Sequence, residues 1–143
     1  MDGTTAIRAL ITAYCERLDA GDFDGLADLF AHGAFRSPAG TNLVGKAAVR
    51  SMYDAVLLYP DGTPRTKHVL GSVIVEADED AGSGTSRCAF TVFQQVDDTP
   101  LQPVLSGRYH DQFERVDGEW RFVERMVLPD LEGDLSRHMR GRE

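Results

Sequence analysis

Four residues of the chain have the chemistry to move protons: Asp19, His68, His110 and Tyr14. An aspartate held beside an imidazole is a general acid/base couple, because the carboxylate fixes the ring's tautomer and raises its basicity near neutral pH. Such a couple can take a proton from the carbon next to a carbonyl and hand one to a leaving hydroxyl. A tyrosine phenol can donate to the oxygen on which negative charge then develops. Each residue also has a structural use. Asp19 precedes Ala20-Gly21 and can serve a turn. Tyr14 falls on an apolar helical stripe, where a core tyrosine needs only its hydroxyl satisfied. His68, beside Lys67 at the start of a strand, can be exposed. His110 and Asp111 are neighbours on a strand, so only one of them faces a given side, and a one-residue shift in register exchanges them. Arg125 either reaches a pocket or pairs with Glu114 or Glu124 across strands, and the ion pair is the preferred reading.

Other chemistries lack their residues. The four histidines show no H-x-H or H-E-x-x-H spacing, so a protein-held metal is disfavoured, and His32 and His138 read as turn and tail. There is no G-x-S-x-G and no G-x-G-x-x-G, which removes nucleophilic acyl transfer and dinucleotide binding. Enolisation by an acid/base couple needs no cofactor. Lys46, Arg50, Arg65 and Lys67 are scattered and read as a solvated face. Cys15 and Cys88 lie far apart with no C-x-x-C, the pattern of two reduced, buried thiols in a cytoplasmic protein.

The proton-moving residues need a scaffold that brings them together. The chain has 143 residues, 42% hydrophobic and 27% charged, which fits one globular domain and not a disordered chain. A chain of this size buries roughly two-thirds of its unfolded surface, enough for a core without metal or disulfide staples. Fifteen Lys and Arg against 23 Asp and Glu give a net charge of −8, so no basic field recruits DNA or RNA. No apolar run approaches the roughly 20 residues of a membrane-spanning helix. The opening Met1-Asp2-Gly3-Thr4-Thr5 lacks the basic flank and apolar core of a signal peptide. Neither a nucleic acid nor a membrane is an expected partner.

Ile7, Leu10, Ile11, Tyr14 and Leu18 recur at spacings of three and four, which predicts a helix over residues 5–19 ended by Gly21. Asp22 can cap a second short helix carrying Leu26, Leu29 and Phe30. A third fits residues 46–58, until Pro60-Asp61-Gly62 breaks it. From residue 66 the pattern turns to strands. Residues 66–76 and 85–96 are rich in β-branched side chains around an acidic, glycine-rich loop; 104–116 and 119–128 flank Asp117-Gly118, a strong hairpin signal. Residues 34–37 read as a short extra strand. Helices first and strands last predict an α+β domain in which helices on one face of a curved antiparallel sheet enclose a cavity. The domain is expected over residues 1–130. Beyond it, Leu131, Leu135 and Met139 make the tail, 131–143, a short amphipathic helix or an arm on a partner subunit.

Several of these segments, in this order, resemble the SnoaL-like branch of the NTF2-like (cystatin-like) superfamily. They are Tyr14-Cys15-Glu16-Arg17-Leu18-Asp19, Asp22-Phe23-Asp24-Gly25-Leu26 to Phe30, Thr66-Lys67-His68, and Gly107-Arg108-Tyr109-His110-Asp111 through Trp120 to Arg125. The resemblance spans residues 4 to 130 and implies a cone: three N-terminal helices packed on a curved, mainly antiparallel sheet. Within the superfamily the pattern looks like scytalone dehydratase and its relatives, where a tyrosine and an aspartate at the end of the first helix face histidines from the sheet. That resemblance implies Tyr14, Asp19, His68 and His110 as the catalytic set. Asp19 would pair with His110, Tyr14 would polarise a carbonyl, and His68 would transfer a second proton or hold a water. Clear counterparts of the family's further substrate-gripping polar residues are missing. The implied function is a cofactor-independent lyase or isomerase, dehydratase- or cyclase-like, acting on a small hydrophobic or polyketide-like substrate. The alternative is a non-catalytic ligand-binding module, or an accessory protein resembling the β subunit of ring-hydroxylating dioxygenases. A sheet of this kind is expected to pair through its outer face as a homodimer.

Overall fold

A computed structural model describes residues 1–142. Asp2 caps the first helix, α1 (Gly3–Asp19), its carboxylate accepting from the Thr5 N–H at 2.8 Å; this satisfies one of the amides that a helix start leaves free. Ile7, Ile11, Tyr14 and Leu18 are buried, as their spacing predicts. Gly21 ends the helix at φ +76°. Its N–H donates to Leu18 O at 3.1 Å, and the Asp22 N–H reaches back to Arg17 O at 2.9 Å, the two bonds of a Schellman end. A Cβ on Gly21 would lie 2.2 Å from Gly62 O, so the turn also needs glycine to let that loop approach.

Asp22 then caps α2 (Phe23–Asp28) through the Gly25 N–H at 2.9 Å. A small hairpin of β1 (Ala34–Arg36) and β2 (Asn42–Val44) leads into α3 (Lys46–Met52) and a single 3-10 turn, Tyr53–Ala55. The third helix is shorter than residues 46–58, because Val56 is already extended and bridges to Met139.

Four long strands follow: β3 (Thr66–Asp78), β4 (Ser83–Gln94), β5 (Gln102–Val116) and β6 (Glu119–Glu132). They join the hairpin in one sheet of order β2-β1-β6-β5-β4-β3. Every neighbouring pair is antiparallel except β1 with β6. This is the expected α+β cone, three helices against a mainly antiparallel sheet. Strands β4 and β5 alternate cleanly. Ser86, Cys88, Phe90, Val92 and Gln94 of β4 are buried and Thr85, Arg87 and Ala89 exposed; on β5, Tyr109, Asp111 and Phe113 are buried and Arg108, His110 and Gln112 exposed. Register shifts at Ser106/Gly107 and Gln112/Phe113 bend the sheet around the helices.

The tail departs from expectation. β6 carries the chain through position 130 to Glu132, pairing Leu131 with Ser106 and leaving the Leu131 side chain 70% exposed. Residues 133–142 then make turns, not a helix, and fold back on their own chain. The Gly133 N–H donates to Val104 O at 2.9 Å, the Leu57 N–H to His138 O at 2.9 Å, and the Arg140 N–H to Ala55 O at 2.8 Å. These bonds and the burial of Leu135 stabilise the arm where an isolated four-residue spacing could not. Among the described residues no helix is long and apolar enough to cross a membrane.

Candidate functional site

Asp19 ends α1 facing the start of β3, and β3 is an edge strand. Backbone groups on the outer side of an edge have no strand to pair with, and Asp19 supplies one acceptor there. Its Oδ2 accepts from the His68 N–H at 2.8 Å, and its Oδ1 accepts from the Thr66 hydroxyl at 2.9 Å. The same Oδ1 lies 2.6 Å from His68 Nδ1. A carboxylate only accepts, so this network assigns the proton to Nδ1 and leaves the lone pair on Nε2. Burial pushes the Asp19 carboxyl up, but the hydrogen bonds from His68 and Thr66 and the charge His68 can carry outweigh it, and the net shift is downward. Asp19 is therefore an ionised group that orients the ring.

His68 forms part of the wall of a cavity of about 180 Å³ between the helices and the inner face of the sheet. Leu18, Phe90, Val92 and Leu105 supply apolar wall; Tyr14, Tyr53, Tyr109 and His138 supply the other polar groups. Among the described residues no Asp, Glu, Lys or Arg lines it. An engineered core cavity of about 150 Å³ admits benzene, so the space suits a neutral molecule of one or two rings. Three wider grooves reach about 550, 530 and 530 Å³; the first two lie along the sheet with Glu76, Gln112, Arg87 and Glu124 among their walls, and the third has Asp19 and His68 themselves in its wall beside Thr12, Glu16 and Lys67, so the pair stands between a polar groove and the apolar cavity.

His110 is not in the cavity. It projects from the outer face of β5, exposed, between Arg87 and Met126 of the neighbouring strands. The inward position belongs to Asp111, because the alternation that buries Tyr109 and Phe113 buries every second residue. The expected Asp19–His110 couple is thus corrected: the imidazole Asp19 holds is His68. Tyr14 is buried, but its hydroxyl meets that of Tyr53 at 2.6 Å. Burial raises its pKa against the opposing effects of Arg125 and Tyr53. Arg125 does form an ion pair, yet with Asp111; Glu114 and Glu124 pair with Arg121 and Arg36.

Tyr53, Tyr109 and His138 are cavity residues that the sequence reading passed over. Tyr109 shares the inward face of β5 with Asp111, a phase set by the neighbouring strands. His138 arrives on the arm. It is 5% exposed, its Nδ1 is buried without a hydrogen-bond partner, and burial, with His68 acting in the same direction, pushes its pKa down to about 4. Cys15 and Cys88 are buried thiols, and burial pushes Cys15 up to about 12, far from a working nucleophile. Among the described residues no three His, Cys, Asp or Glu side chains are grouped to hold a metal.

A SnoaL-like domain model matches residues 2–126. No curated protein matches the chain by sequence. Among solved structures it is similar to a single-site variant of Rv3472, a protein of unknown function from Mycobacterium tuberculosis, with TM-score 0.75 and 25% identity over 93% of this chain and 79% of that one. An NTF2-like protein with a cystatin-like fold from Novosphingobium aromaticivorans gives TM-score 0.71 and 25% identity over 87% and 79%. A provisionally named scytalone dehydratase from the same organism shares the fold at TM-score 0.72 and 19% identity over 92% and 86%. With the domain model spanning nearly its whole length, the chain belongs to the SnoaL-like domain family and carries its NTF2-like, cystatin-like fold.

Proposed function

We propose that this protein is a cofactor-independent lyase or isomerase of the dehydratase kind, acting on a small, neutral, hydrophobic or polyketide-like molecule in the cavity. The observation that carries the reading is the 2.6 Å contact between Asp19 and His68 Nδ1 at an apolar cavity wall. With Nδ1 committed to Asp19, Nε2 is the basic nitrogen. It takes a proton from the carbon beside a ligand carbonyl, and the C–H electrons become the double bond of an enolate. In a β-hydroxy ketone the enolate expels the hydroxyl: the C–O bond breaks, the C=C bond forms, and the imidazolium returns its proton to the departing oxygen as water. In an isomerase the same proton returns to a different carbon. Ionised Asp19 stabilises the imidazolium throughout. The Tyr14, Tyr53 and Tyr109 phenols all have raised pKa values, chiefly through burial. Tyr14 is the neutral donor for a carbonyl oxygen, with the Tyr53 hydroxyl donating to Tyr14.

The test is α-proton exchange of 2-tetralone in heavy water, followed by NMR with the full chain. Exchange faster than in buffer is expected, falling about 100-fold or more in Asp19→Asn and to the buffer rate in His68→Ala. Equal rates in the parent and His68→Ala reject the reading. Tetralone binding with no exchange favours a second one, a ligand-binding module, for which the specific observation is that the Tyr14 hydroxyl is already engaged by Tyr53. The homodimer proposal rests on the outer face of β3, where Val69 and Ile74 are 52% and 43% exposed; a monomer by light scattering ends it.

A further inference from the structure

The arm contributes a polar group to the cavity for which the acid/base reading has no use. His138 lines the same space as His68 and is nine-tenths buried or more, and its Nδ1 lacks a partner. A buried nitrogen left unpaired carries its full desolvation cost. The backbone on both sides of it is tied down. His138 O accepts from the Leu57 N–H at 2.9 Å, Met139 bridges to Val56, and Arg137 O accepts from Gln94 Nε2 at 2.9 Å. The backbone that carries the ring is therefore held in place by bonds that do not involve the imidazole.

We propose that His138 is a ligand-recognition residue, whose imidazole hydrogen-bonds a hydroxyl group on an uncharged aromatic or fused-ring ligand. This rests on the reading of the cavity as the binding site. Burial keeps the ring neutral near pH 7, and among the described residues no Lys or Arg lines the cavity to favour an anion. A phenol or enol fits better than a carboxylate or phosphate, because only an uncharged group enters without an unpaired buried charge. Apolar walls bind the rings of any such molecule, and His138 selects those that carry the hydroxyl.

Binding of 2-naphthol and of its methyl ether to the full chain, by fluorescence titration, tests this. The parent protein is expected to prefer 2-naphthol by about tenfold, the worth of one net hydrogen bond. In His138→Leu the preference disappears while the ether binds as before; His138→Gln, which keeps a polar head, retains part of the preference and covers the case in which the leucine variant fails to fold. No preference in the parent, an unchanged preference in His138→Leu, or an equal loss of both probes in both variants overturns the assignment and leaves the cavity reading standing. If neither probe nor 2-tetralone binds the parent, the cavity reading itself fails, and the role of His138 with it.

Discussion

Arg125 and Asp111 meet across β5 and β6 as a two-pronged pair, Nε to Oδ1 and Nη2 to Oδ2 each at 2.9 Å, with both side chains fully buried. The guanidinium also lies 3.8 Å from the centre of the Tyr109 ring and 4.2 Å from that of Tyr14. Desolvation lowers its pKa, but Asp111 more than compensates and the net shift is upward. The charge survives in the core because three partners stabilise it from different sides.

Breaking the pair should therefore cost more than deleting it. Arg125→Met alone leaves Asp111 buried with only the Ser86 hydroxyl at 3.3 Å as a partner. A loss of about 3–5 kcal/mol in unfolding free energy is expected. The double variant Asp111→Leu/Arg125→Met should recover most of it. Urea titrations followed by circular dichroism measure both, and a harmless Arg125→Met would mean that the ion pair does not hold this part of the core.

The Tyr14–Tyr53 contact separates structure from chemistry in the same cavity. Tyr53→Phe removes one hydroxyl from a buried 2.6 Å pair, for which a loss of about 1 kcal/mol in stability is expected. If His68 moves the proton, tetralone exchange should change by no more than about threefold, because the base and its aspartate are untouched. A collapse of exchange to the buffer rate would move the catalytic role to the phenol pair.

The sequence made legible what periodicity and turn chemistry encode. The stripe from Ile7 to Leu18, the glycine stop at Gly21 and the Asp117-Gly118 hairpin place Asp19 at a helix end and His68 at a strand start. The choice between His110 and Asp111 was not available from alternation alone, which says only that they face opposite ways. It is decided by register shifts at Ser106/Gly107 and Gln112/Phe113 and by Arg125 as the inward partner, all of them relations between strands. His138 was still less accessible. Its burial depends on Ala55, Leu57 and Gln94, which hold the arm from distant parts of the chain and leave no local pattern around it.

Acid should weaken the fold before it titrates ordinary carboxylates. His138 falls from 6.5 to about 4 on folding, burial being the main cause, with His68 lowering it further and Asp19 opposing. Between those values the unfolded chain binds a proton that the native one does not. Stability from this group is complete above about pH 6.5 and is lost as pH falls toward 4, by up to about 3 kcal/mol. Asp19, lowered by its His68 and Thr66 bonds against burial, adds loss of the same sign at lower pH. Urea midpoints from about pH 7 down to about pH 4 should slope steeply in the parent and much less in His138→Gln. Equal slopes would mean that His138 is solvated in solution.

Gln94 is the fastening most open to test. Its side chain is 2% exposed, and Nε2 donates to Pro64 O at 3.0 Å and to Arg137 O at 2.9 Å. Gln94→Leu keeps the volume roughly constant and deprives both carbonyls of that donor, leaving Arg137 O with the Tyr59 hydroxyl. The arm is a short segment with few backbone bonds, so it should open on its own before the sheet does. Hydrogen exchange at Met139, bonded to Leu135 O, and at Arg140, bonded to Ala55 O, should accelerate about 10-fold or more, the equivalent of one lost buried hydrogen bond. Amides of the β4–β5 ladder should keep their rates. If both sets accelerate together, the arm is part of the global unit, and His138 then sits in a wall that opens only when the whole domain does.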